Sequence, residues 1–176
     1  RANANKLMGR FFYGLKKKAD YAIVSLAGGQ KDNAITRECT AQVLTNASAE
    51  VKAYAKELQA QIREEYAGTD ENISIEVTEE GTVCTQVLHP TSQEKVLFYL
   101  QNVPFGVQKM SGTIPGLVET STNIGILRLD EDELFASSSV RSSVDTACSA
   151  LSDKIEYLTE FLGGEYEVQG AYPAWE

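Results

Sequence analysis

A single histidine, His89, and three cysteines, Cys39, Cys84 and Cys148, are all the imidazole and thiol side chains in this chain. The cysteines are odd in number and widely spaced, and no two form a Cys-x-x-Cys pair. That pattern encodes neither a zinc site nor a disulfide framework. Reduced, buried thiols are expected instead, which fits a cytoplasmic origin. His89 precedes Pro90 without a partner motif and reads as an exposed loop residue. No Gly-x-Ser-x-Gly elbow is present, so a serine nucleophile lacks support. Gly28-Gly29 is not followed by the Gly-Lys-Ser/Thr of a phosphate loop. No apolar run approaches the ~20 residues of a membrane span. The opening residues are polar and then amphipathic, unlike a secretory signal. Positive charge is scarce as well: 16 Lys and Arg stand against 25 Asp and Glu, a net charge of −9. That balance opposes binding to nucleic acid or to an anionic membrane. The one basic cluster, Lys16-Lys17-Lys18, falls where a helix should end, and cations suit that end of the dipole.

Hydrophobic residues make up 43% of the 176 positions, enough for one domain with a real core. Helical spacing predicts helices over residues 3–17, 48–66, 91–103 and 143–162. In the last of these Val144, Cys148, Leu151, Ile155, Leu158 and Leu162 form the inward stripe. Thr91 and Glu94 read as a capping box opening the third helix. Strands are expected at 20–27, 34–45, 72–78, 82–88 and 165–171, with 20–27 central because it is apolar on both faces. Residues 104–116 read as a loop. A long hairpin follows from Val118, turning at Asp130-Glu131-Asp132-Glu133. The order helix, hairpin, helix, strand then recurs, with one extra strand between. An α+β two-layer sandwich is predicted: an antiparallel sheet with helices on one face, built from duplicated ferredoxin-like units. Residues 1–176 form one domain on this reading, with pseudo-repeats at about 1–88 and 89–176.

The hairpin breaks into the last helix at Arg141, which stands among Ser137, Ser138, Ser139, Ser142 and Ser143. A helix start gathers free N–H groups, and an arginine beside it makes a candidate socket for a carboxylate or phosphate. The competing structural reading is an ion pair with Asp145, four residues on. The acidic tetrad Asp130–Glu133 reads as a solvated turn rather than a cation site.

Six segments carry a resemblance: RANANKLM at 1–8, NAITRE at 33–38, VPFGV at 103–107, VETSTNIGI at 118–126, VRSSVDT at 140–146 and GAYPAW at 170–175. Together, and in this order, they resemble the aminoacyl-histidine dipeptidases, also called Xaa-His or cytosol non-specific dipeptidases, which are cytoplasmic zinc metallopeptidases. The resemblance implies that the chain is the lid, or dimerisation domain, of such an enzyme. A catalytic domain holding two zinc ions would then lie outside these residues, and the first residue, Arg1 rather than Met, fits an excerpt. No catalytic or metal-ligating residue is expected in the chain itself, and no cofactor would bind it. The implied partners are a dipeptide substrate, the missing catalytic domain and, as an open option, a second copy of the chain. Arg141 matches the arginine of the family's R-S-x-[IV]-D motif and is expected to hold the substrate's C-terminal carboxylate. Asn33 matches the asparagine of N-A-I-P-R-E, a lid loop expected to reach the substrate or the rim of the site. Asn123, in T-S-x-N-[LVI]-G, is expected to support its strand. Thr36 stands where the motif has proline, an exchange expected to loosen the Asn33 loop, and Phe105 and Ala174 also depart from the pattern. The alternative is a free-standing ferredoxin-like module that binds a small ligand or dimerises.

Overall fold

The computed structural model describes residues 1–81 and 86–171. Asn3 caps the first helix, α1 (Ala4–Lys16), by accepting from the N–H groups of Asn5 and Lys6. The chain continues through β1 (Ala22–Gly28), β2 (Cys39–Leu44), α2 (Ser48–Glu65), α3 (Pro90–Asn102), β3 (Gly106–Met110), β4 (Val118–Leu129), β5 (Leu134–Ser142) and α4 (Asp145–Phe161). The five strands form one antiparallel sheet. With these helices packed on it, the fold is the predicted α+β class.

β4 organises the sheet. From Thr120 to Leu129 it pairs with β5. On its other edge the first half pairs with β3 and the last residues with β1. β1 lies between β2 and β4, the central position its apolar sequence predicts. Among the described residues, 123–126 of β4 therefore have no strand neighbour on the β1/β3 side. Gly125 is an extra residue there, opposite the step from Ser138 to Ser137, and shifts the register as a bulge does.

The core lies on one face. Ile23, Leu26, Ile124, Leu127 and Leu129 of the sheet meet Phe12 and Leu15 of α1, Leu58 and Ile62 of α2, Leu100 of α3 and Ile155 of α4. Gly9 brings α1 against α3, because a β-carbon there would strike Leu100. Lys6 sits at the same crossing and donates to the carbonyls of Leu100 and Val103 at 2.5 and 2.9 Å. It thereby satisfies acceptors that the end of α3 leaves free.

Several expected elements differ. Residues 72–78 form no strand ladder among the described residues, and Asn72 still belongs to the turn before them. Ile73, Ile75 and Val77 do turn to the core. However, α2 supplies their backbone partners, Arg63 donating to the Ile73 carbonyl and Gln59 accepting from the Ile75 N–H. Alternation reports which side is buried, not which group completes the ladder. The segment 165–171 likewise has no ladder among the described residues, although Tyr166 packs on the core. The strand predicted at 82–88 lies partly outside the described residues. β2 begins only at Cys39, since 34–38 belongs to a loop. The segment 104–116 contains a short, mostly exposed edge strand, β3, whose five residues show no alternation to read.

Helix starts differ too. No Thr91–Glu94 box forms, because His89 caps α3 by accepting from the Thr91 N–H through Nδ1. Glu94 instead pairs with Lys16 at 2.8 Å. α4 starts at Asp145, two residues later than expected, which leaves Val144 as its exposed N-cap.

Candidate functional site

Arg141 lies in β5, across from Ser121 of β4. Its neighbour Val140 packs against the core, so alternation sends Arg141 to the opposite, open face. Ser121 and Asn123 of β4 and Ser137 and Ser139 of β5 share that face by register. α4 packs its Leu151 and Ile155 on the core-facing side, opposite the face of Arg141. The strand neighbours of Arg141 on its own face are rich in hydroxyls.

Arg141 is exposed and forms no ion pair among the described residues. Glu119, two residues before Ser121 on β4, is held by Lys109 at 3.0 Å. A guanidinium on an open face with its nearest strand carboxylate already engaged can receive a carboxylate through two parallel N–H donors.

Asn33 is exposed in the loop between β1 and β2. That loop crosses β4 at the Gly125 bulge, where a β-carbon on Gly125 would strike the carbonyls of Lys31 and Asp32. Asn123 donates to the carbonyl of Ala34, the residue after Asn33, at 2.8 Å. Asn123 and Ser121 lie on one face of β4, so the Asn33 loop is held by a side chain from the face that carries Arg141.

A knot of polar side chains fills the β4 edge left bare between β3 and β1. Thr36 is buried, and its hydroxyl lies 3.0 Å from both the Ile124 and the Gly125 carbonyls. Asn5 donates to the Thr36 hydroxyl and to the Ile124 carbonyl at 3.2 and 3.3 Å. Asn3, fully buried, donates to Asn123 Oδ1 and to the Ile124 carbonyl at 2.7 and 3.0 Å. The expectation that Thr36 loosens the loop is thus overturned, because its hydroxyl ties the loop to β4. Asn123 supports its strand as expected and also holds the loop. Asn3, Asn5 and Thr36 were not legible as a cluster. The one available signal was the Asn-x-Asn at the start of a helix, a spacing that by itself indicates only a cap.

The other candidates are ordinary. His89 is exposed. At the hairpin tip the Asp130 carboxylate accepts from the N–H groups of Asp132 and Glu133, which lowers its pKa. Cys39 is a half-buried free thiol that burial pushes up to about 12, far from a reactive thiolate. Among the described residues no group of three His, Cys, Asp or Glu side chains could hold a metal ion. The implied zinc therefore has no fitting site in what is described of this chain. No helix among the described residues is long and apolar enough to cross a membrane.

Residues 1–70 match the family described as Peptidase dimerisation domain. The cytosol non-specific dipeptidase of Escherichia coli (strain K12) is 27% identical over 176 residues, covering 99% of this chain and 36% of the relative. The crystal structure of aminoacylhistidine dipeptidase from Vibrio alginolyticus superposes with a TM-score of 0.93 at 31% identity. The chain is thus similar to dipeptidases over its whole length, and its first 70 residues are similar to a peptidase dimerisation domain. The match takes in 100% of this chain and 36% of the Vibrio chain, so the chain spans about a third of the relatives it matches.

Proposed function

We propose that this chain is the dimerisation domain, and acts as the lid, of a cytoplasmic zinc dipeptidase that hydrolyses unblocked dipeptides such as Xaa-His. In this reading the domain carries Arg141 to the substrate's C-terminal carboxylate, and the loop bearing Asn33 reaches the rim of the same site. The observation that carries it is the shared face: Asn123 holds the Asn33 loop two residues along β4 from Ser121, the cross-strand partner of Arg141. Two zinc ions would belong to a catalytic domain outside this chain, and the isolated domain would hydrolyse nothing. Closure would exclude water and strengthen the contact between guanidinium and carboxylate. We read residues 1–176 as one such lid, made of pseudo-repeats at about 1–88 and 89–176.

Arg141→Ala in the full-length enzyme tests the reading. Loss of a charge-assisted contact in a closed site should cost about 1.5–3 kcal/mol in kcat/KM for a dipeptide with a free carboxylate. The same dipeptide as its C-terminal amide should lose little. Equal losses for the two substrates, or none for either, would refute the role of Arg141.

A second function is favoured by a separate feature. Tyr157 and Phe161 stand one helical turn apart on α4 and are 73% and 75% exposed. Such an aromatic edge fits a contact between two copies of the domain.

A further inference from the structure

We propose that Thr36 and Asn123 are positioning residues, latching the 31–36 loop onto β4 so that Asn33 stands on the face that carries Arg141. The proposal rests on reading Arg141 and Asn33 as substrate contacts.

The loop has little internal structure to hold its shape. Its one internal backbone hydrogen bond among the described residues, from the Ala34 N–H to the Lys31 carbonyl, is long at 3.4 Å. Its position is set by ties to other elements, and these bracket Asn33. Before it, the backbone at Lys31 and Asp32 lies against Gly125. Directly after it, Asn123 holds the Ala34 carbonyl. Two residues further on, the Thr36 hydroxyl reaches the Ile124 and Gly125 carbonyls, and the Thr36 carbonyl accepts from the Ala4 N–H.

The β4 side has equal need of these ties. Among the described residues no strand pairs with 123–126 on that edge, and buried carbonyls require donors. A hydroxyl carries one proton, so Thr36 shares it between two carbonyls and leaves its lone pairs for Asn5. Releasing the loop would thus strip donors from the strand that pairs with Arg141. One set of bonds satisfies the strand edge and fixes where Asn33 stands.

The test compares Thr36→Val, which removes only the hydroxyl, with Thr36→Ser, which keeps it, and adds Asn123→Asp, which loses the donor to Ala34. All are made in the full-length enzyme, with Arg141→Ala alongside. Two quantities are read: the rate of tryptic cleavage after Lys31 or Arg37, which flank Asn33, and KM and kcat for a free dipeptide. Cleavage of a transiently opened loop tracks the open population. Thr36→Val and Asn123→Asp should therefore be cut about tenfold faster. They should also lose about tenfold in kcat/KM, mostly through KM, while Thr36→Ser stays near wild type on both readouts. Unchanged cleavage in Thr36→Val and Asn123→Asp would overturn the latch. Faster cleavage with unchanged kinetics, while Arg141→Ala is impaired, would overturn the positioning role and leave the reading of Arg141 standing. Impaired kinetics in the loop variants with an unaffected Arg141→Ala would sink the carboxylate reading and support the latch.

Discussion

The side chains of Asn3 and Asn123 meet at 2.7 Å across 120 residues of sequence. Through this contact the start of α1 and the middle of β4 are fixed together. Asn3 also caps α1 through its oxygen and donates to the Ile124 carbonyl. Asn3→Ala should cost about 2–3 kcal/mol, combining a lost cap with a buried acceptor left short of a donor. Asn3→Asp keeps the cap and loses the donor, so it too should destabilise. Urea denaturation of both variants checks this; an Asp variant as stable as wild type would show that the cap alone matters.

At Gly125 the loop crosses β4 closely enough to forbid a β-carbon. Gly125→Ala should push the 31–32 backbone away and destabilise the protein by about 1–3 kcal/mol. It should also speed tryptic cleavage after Lys31. Retention of both wild-type stability and wild-type cleavage would mean that the crossing is looser than described.

Burial lowers the Lys6 ammonium to about 8 from 10.5. Between those values the unfolded chain binds more protons than the folded one, so the Lys6 contribution makes stability rise as pH increases through that window. Lys6→Met should remove this contribution. Urea denaturation of wild type and variant at pH 7.5 and pH 10 reads the difference. A wild type that gains nothing relative to Lys6→Met over that interval would contradict the depressed value.

Cys39 should resist alkylation. With its thiol pushed from 9.0 to about 12, the native thiolate population at pH 8 falls by about a thousandfold relative to an ordinary cysteine. Peptide mapping after iodoacetamide treatment should find Cys39 unmodified in native protein and modified in urea. Equal labelling in the two states would contradict the burial.

Self-association should depend on the aromatic edge of α4. The double variant Tyr157→Glu, Phe161→Glu should shift a dimer to monomer in sedimentation of the full-length protein, with helix content unchanged. A dimer that survives both changes would move the contact elsewhere on the domain.

Much of the architecture was legible from periodicity. Leu58 and Ile62 in α2, and Leu151 and Ile155 in α4, recur at helical spacing and are buried as that spacing demands. The β4–β5 hairpin was readable from its alternation and its acidic turn. β3 was not, because an exposed edge strand such as Gly106–Met110 has no buried face to leave a pattern. Residues 72–78 misled for the converse reason: their inward side chains alternate, but Gln59 and Arg63 of α2 supply the partners a neighbouring strand would have given.

For the candidate site, the sequence by itself determined the residue types: an arginine among serines, an asparagine in a short loop, and a motif order shared with dipeptidases. The face on which Arg141 stands was decided only by the tertiary structure, since it depends on the pairing with Ser121 and on the core contact of Val140. The role of Thr36 was decided there too. In the sequence it is a missing proline. In the fold it is a buried donor, because β3 and β1 stop short of each other along β4 and leave carbonyls that only side chains remote in sequence can reach.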